Sequence, residues 1–286
     1  MSVAKEIRSK IKSIESTKKI THAMELVAAS KMKKSQAMMH AARPFALKIK
    51  EVLCHLVASP RQYTHPFLEE RTIKKAVYVV ISSKRGLCGG LNVNLFKSIL
   101  NDIRLKKKQN IEPVLCLVGT KAINFFKKIN VQSIAVLEPD TDIPSMNELI
   151  GLIGVALRSF ENKDVDALYL CYNNFENSLV YQPTVERLLP FNLEGMRQEN
   201  IQEYLYEEDP LLVLDMFLTR YIEAIIYQSI LENYTSEQAA RMVAMKSATD
   251  NATTLIDDLK LVYNKARQAA ITREITEIVS GAAALN

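Results

Sequence analysis

Apolar residues recur at three- and four-residue intervals at both ends of the chain, the spacing of a helix with one buried stripe. Toward the C-terminus the runs are Leu211, Leu214, Leu218, Tyr221 and Ile225, then Leu255, Leu259, Val262, Ala266 and Ala269, then Ile271, Ile275, Ile278 and Ala282. Neither proline nor glycine lies between Pro210 and Gly281, so nothing in those 70 residues breaks a helix. A single helix of that length would extend about 105 Å at ~1.5 Å per residue. The runs are offset from one another, which predicts a coiled-coil seam whose phase drifts, not one strict zipper. The N-terminal segment is built alike: Ile7, Ile11 and Ile14 form one run, Ile20, Met24 and Val27 the next. Helix is expected there to about Val57, with a bend at Pro44. Helices this long need a partner for their stripe, and each supplies the other's as an antiparallel coiled coil. The alternative is two bundle helices folded onto the middle of the chain.

Between these ends the period changes. "KKAVYVVISS" (74–83), "PVLCLVG" (113–119), "VQSIAVL" (131–137) and "DALYLCYNNF" (166–175) read as buried strands. Helices are predicted after the first three, over about 91–107, from about 120, and over 145–160. Strands alternating with helices make a parallel sheet covered on both faces, an α/β domain between the two long helices. A strand-like return (180–190) and a polar connector lead to the last helix. The expected division is therefore 1–58 N-terminal helix, 74–190 α/β domain, 191–210 connector and 211–286 C-terminal helix.

Charge sharpens this picture. The net charge is +5, but residues 1–43 carry ten Lys/Arg against three Glu, while 211–286 carry seven against nine Asp/Glu. A basic helix beside a mildly acidic one favours the antiparallel pair; it also fits nucleic acid, an anionic membrane or an acidic protein partner. No run reaches the roughly 18 apolar residues of a spanning helix, and the alternating charge of the first residues is unlike a signal peptide. Cys54, Cys88, Cys116 and Cys171 are scattered, which suggests reduced core thiols and not a disulfide framework or zinc site.

The stretch "SSKRGLCGGLNVNLF" (82–96) holds three of the eight glycines within five residues, between a strand and a helix. That is where an α/β protein places a phosphate loop, yet "GLCGG" lacks both the Gly-Lys-Ser/Thr ending and the G-x-G-x-x-G spacing. Lys84 and Arg85 next to a helix start could meet an anion. Cys88 would need a base, and the four histidines, His22, His40, His55 and His65, all precede residue 66. "VGTKAINFF" (118–126) is a generic helix entry, "PDTD" (139–142) a turn, and no carboxylate pair or metal-ligand spacing is visible. The apolar end "EIVSGAAALN" reads as a segment that inserts into something, and Arg267, Gln268 and Arg273 form a polar cluster beside it.

The start "EIRSKIKSIESTKKITHAMELVAASKMKKSQ", the loop "RGLCGGLNVNLF" and the end "SEQAARMVAMKSATDNATTLIDDLKLVYNKARQAAITREITEIVSGAAAL" resemble the gamma subunits of bacterial F-type ATP synthases, in order and over the whole chain. The resemblance implies a non-catalytic rotor shaft without a cofactor or metal, made of an antiparallel coiled coil and a Rossmann-like domain. It implies as partners a ring of alpha and beta subunits that performs the ATP chemistry, an epsilon subunit and a membrane ring of c subunits. A peripheral place on the cytoplasmic face of the bacterial inner membrane follows. By motif position it assigns Met24, Arg241, Arg267, Gln268, Thr272 and Glu277 to contacts with beta subunits. Val279, Ala282, Ala283 and Leu285 match the apolar tip in its collar, and Tyr204 and Glu207 the foot near the c ring. Many relatives carry an acidic residue where this chain has Lys84, the cysteine-bearing insertion of chloroplast relatives is absent, and no transit peptide precedes the first motif. A coiled-coil scaffold or nucleic-acid-binding adaptor is the alternative function, and a nucleotide-dependent enzyme on the α/β domain a second.

Overall fold

The computed structural model describes residues 2–58, 65–129, 131–191 and 210–284. In order the elements are α1 (Ser2–Ala58), β1 (Lys75–Ile81), α2 (Leu91–Lys108), β2 (Glu112–Val118), α3 (Thr120–Phe126), β3 (Ser133–Leu137), α4 (Met146–Glu161), β4 (Ala167–Phe175), β5 (Tyr181–Leu189) and α5 (Pro210–Ala284). Both long helices form as the spacing predicts, and α1 runs through Pro44 without interruption. The chain divides into two compact units, one of residues 30–240 and one of residues 1–29 with 241–286.

The larger unit contains a five-stranded sheet in the order β3-β2-β1-β4-β5. The first four strands are parallel, as their near-continuous apolar runs predict, and β5 returns antiparallel beside β4. The sheet is therefore mixed, with the expected return strand closing one edge. Alternation along the strands sorts two cores. Tyr78, Val80, Leu115, Leu117 and Tyr169 face α2 and α3, whose Phe96, Ile99 and Phe126 cover them. On the other side Val77, Val79, Cys116, Leu168 and Leu170 meet α4 and also Leu53 of α1 and Leu214, Leu218 and Ile222 of α5. The sheet thus uses the two long helices as part of its own covering layer. Ser145 caps α4 reciprocally with Glu148, satisfying two helix-end donors at once.

In the smaller unit the least exposed positions of α5 alternate by four and three through Met245, Thr249, Ala252, Ile256, Leu259, Tyr263, Ala266 and Ala270. On α1 they run through Ile7, Ile11, Ile14, Lys18, Thr21, Met24 and Ala28. The hydroxyls of Thr21 and Thr249 share a hydrogen bond of 2.8 Å across the pair. This seam differs from the expected one. Leu259, Ala266 and Met24 lie in it, but Leu255, Val262, Ala269, Ile20 and Val27 are exposed. The seam holds a regular heptad phase because threonine, alanine and lysine fill positions that an apolar count overlooks. The larger aliphatic residues form a second, outward stripe.

Candidate functional site

In a doubly wound sheet, ligands bind outside the C-terminal strand ends where successive connections leave in opposite directions. Here that point lies between β1 and β4, and the glycine loop follows β1. The loop is closed by its own polar groups. The Ser83 backbone N–H donates to Asn92 Oδ1 at 3.2 Å, and Asn92 Nδ2 donates back to Ser83 Oγ at 2.7 Å and to Cys88 Sγ at 3.4 Å. Of the three glycines only Gly89 takes a left-handed φ, +59°, while Leu87 adopts +63°. The glycine that tight packing demands is Gly119, with φ +95°, where a Cβ would lie 2.3 Å from the Ser82 carbonyl oxygen. Ser82 Oγ in turn accepts from Ala122 N at 2.9 Å, which fixes α3 to the end of β1.

The β4 side of the same point is occupied by α5. Asn173 is fully buried; its backbone N–H and its Nδ2 both donate to Asn233 Oδ1, at 3.3 and 2.8 Å. Ser236 Oγ donates to the Asn173 carbonyl at 3.2 Å. Every residue from Asn233 to Ala239 is buried, although most are polar. Buried polar groups persist when bonded, so this run forms a polar seat for α5 at the crevice where a ligand would otherwise enter. The seat was missed in the sequence, and its one signal is Ser229, Asn233 and Ser236 at helical spacing on an otherwise apolar-faced helix.

The titratable groups of this unit are structural. Burial pushes the Cys116 thiol up to about 12 and raises Cys171 well above the ordinary thiol value, so neither ionises readily as a nucleophile. Cys88 is also buried. Burial raises the Glu232 carboxyl, reinforced by the nearby Glu186 charge, and opposed by Gln228 and Arg43. Among the described residues no three His, Cys, Asp or Glu side chains converge as a metal site. No described helix is long and apolar enough to cross a membrane.

The residues assigned to partner contacts are distributed unevenly. Met24 is half-buried at the seam, and Arg241 is buried. Arg267, Gln268, Thr272 and Glu277 are exposed, Glu277 paired with Arg273 at 3.3 Å. Val279 is exposed, and Ala282 and Ala283 continue the helix. Leu285, Tyr204 and Glu207 lie outside the described residues. From Ile271 to Gly281 every residue is exposed. Counting nineteen residues along each helix from the Thr21–Thr249 bond brings Ser2 level with Gln268, so α1 ends where this bare stretch begins. Helical periodicity puts Ile271, Ile275, Ile278 and Val279 on one face flanked by Arg267, Gln268 and Thr272. The seam side continues instead through Arg273 and Glu277. The apolar stripe of the tip is thus not a prolonged seam; it lies on another face of the helix.

A second feature of the smaller unit is a groove of about 440 Å³ lined by Glu15, Lys18, Lys19 and His22 of α1 and Thr253, Ile256, Asp257 and Lys260 of α5. Its lysines extend the basic face expected from the N-terminal charge.

A family model described as ATP synthase matches residues 3–285. The chain is 50% identical over 288 residues to the ATP synthase gamma chain of Glaesserella parasuis serovar 5 (strain SH0165), with all of both chains covered. Among solved structures it is similar to a chain of the central stalk and c-ring of the Tetrahymena thermophila mitochondrial ATP synthase. That likeness has a TM-score of 0.59 and 25% identity, covering 80% of this chain and 99% of that one. A chain of the Euglena gracilis mitochondrial ATP synthase shares the fold at a TM-score of 0.69 and 20% identity, over 99% of this chain and 95% of that one.

Proposed function

The chain belongs to the ATP synthase gamma family, the non-catalytic central-stalk subunit of the F-type enzyme, and from that premise we propose how its surfaces divide the work. The paired helices enter a ring of alpha and beta subunits, and the sheet-bearing unit meets an epsilon subunit and a membrane ring of c subunits. The chain is then peripheral, on the cytoplasmic face of a bacterial inner membrane, and couples proton flow to ATP synthesis or hydrolysis in the beta subunits. We keep 1–58, 74–190, 191–210 and 211–286 as the working division into N-terminal helix, α/β domain, foot connector and C-terminal helix.

The observation that carries this reading is the bare end of α5, eleven consecutive exposed residues with an aliphatic stripe that no part of α1 reaches. An apolar helix face of that kind is covered in an assembly. Val279, Ala282, Ala283 and Leu285 line the collar contact. Arg267, Gln268 and Thr272, flanking the stripe, bond polar groups of a beta subunit, with Glu277 on the far side and Met24 and Arg241 lower on the pair. Tyr204 and Glu207 belong to the foot.

Torque follows from symmetry. One asymmetric shaft inside a pseudo-threefold ring touches three beta subunits unequally, so each orientation favours a different set of open and closed sites. Turning the shaft moves those unequal contacts around the ring. The test is co-expression with alpha and beta subunits. A stoichiometric complex containing this chain is expected, and recovery of an alpha–beta ring without it contradicts the reading.

A further inference from the structure

Both long helices are tied to the C-terminal end of the sheet by directional polar bonds, and the two ties differ in chemistry. On α5 the tie is the amide seat of Asn233 and Ser236 on Asn173. On α1 it is ionic: Lys31 Nζ donates to Asp142 Oδ2 at 2.7 Å, with Arg85 Nε 3.6 Å from the other carboxylate oxygen. Asp142 lies in the turn between β3 and α4, in the segment expected from sequence to be a plain turn.

That turn is fixed from the sheet side. Pro139 and Pro144 are buried at its two ends, Ser145 and Glu148 close the cap of α4, and Thr120 Oγ donates to Glu138 at 3.0 Å. Lys84 donates from Nζ to the Asp140 carbonyl at 2.6 Å. A carboxylate so framed is held out to α1 by the sheet; it does not follow a mobile lysine. Elsewhere α1 meets the sheet through Ile49, Leu53 and Leu56, an apolar contact. Apolar burial is non-directional and resists separation more than rotation, whereas a charge-assisted hydrogen bond is sensitive to angle.

We infer that Asp142 is a torque-bearing positioning residue: with Lys31 it forms an ionic pin that keeps α1 from turning against the sheet, as the amide seat does for α5. The inference rests on the central-shaft reading. Lys31 is partly exposed, so the pin is screened by salt.

The measurement is torsional stiffness in the assembled complex, with the alpha–beta ring fixed to a surface and a bead attached to the sheet of this chain. Asp142→Asn is expected to raise the resting angular variance about 1.5- to 2-fold, the scale of a partly exposed ion pair, with ATP turnover unchanged. Lys31→Gln, at a partly exposed helix position, should do the same. The exchange Lys31→Asp with Asp142→Lys, made together with Arg85→Gln to remove the cation beside position 142, should bring the variance back, and about 1 M salt should loosen the unaltered chain but not the variants. Variance unchanged in both single variants, or raised but not restored by the exchange, overturns the pin. Failure of the unaltered chain to enter the ring overturns the shaft reading instead.

Discussion

Two stretches of α5 show how differently one helix can be used. From Leu214 to Ala239 it is embedded: Leu214, Leu218, Ile222 and Ile226 enter the sheet's core, and Asn233 and Ser236 are bonded to β4. From Ile271 to Gly281 no residue is covered, although Ile271, Ile275, Ile278 and Val279 are as apolar as the residues of the core. Helix propensity does not distinguish them; the partner does. The first stretch has its partner in the same chain, and the second carries an apolar face that the described residues of this chain leave bare. The polar residues are used differently as well, buried in the first stretch and, as expected, flanking the apolar stripe in the second.

The largest expected effect comes from equal truncations at the two places. Leu218→Ala removes a fully buried side chain and should lower the stability of the isolated chain by about 2–5 kcal/mol. Ile278→Ala, at a position 71% exposed, should change it by no more than about 0.5 kcal/mol. Urea unfolding of the two variants checks the contrast, and similar losses would erase it. A smaller effect separates polar groups in the same way. Asn233→Ala strands the buried N–H and amide donors of Asn173 and should cost about 1–3 kcal/mol, whereas Gln268→Ala should be neutral in the isolated chain. Thermal melts of both variants measure this directly.

Much of this division was legible in the residues. The absence of proline and glycine marked the long helices, and continuous apolar runs marked the parallel strands within a few residues of their ends. Of the residues that the resemblance assigns to beta-subunit contacts, Arg267, Gln268, Thr272 and Glu277 are exposed, Arg241 is buried and Met24 is half-buried. The seam's phase was not legible, because Lys18, Thr21, Thr249 and Ala252 occupy it while Ile20, Leu255 and Val262 point outward. An apolar count selects large aliphatic side chains, but a close helix pair also accepts small and hydroxyl-bearing ones. The amide seat and the Asp142 pin were hidden for a different reason. Each joins residues far apart in sequence, 60 positions for Asn173 and Asn233 and 111 for Lys31 and Asp142, and no local spacing encodes such a pair. The glycine loop carried a clear signal with another meaning: its polar groups bond one another, and α5 fills the crevice beside it.

The central claim is that α5 has an embedded part completed by its own chain and a bare end completed by a partner. Amide hydrogen exchange along α5, measured on the isolated chain and on its complex with alpha and beta subunits, tests it most directly. Residues 229–240 should exchange slowly in both states. Residues 271–281 should exchange rapidly in the isolated chain and become protected in the complex. A tip already protected in isolation, or one that stays unprotected after assembly, would contradict the account.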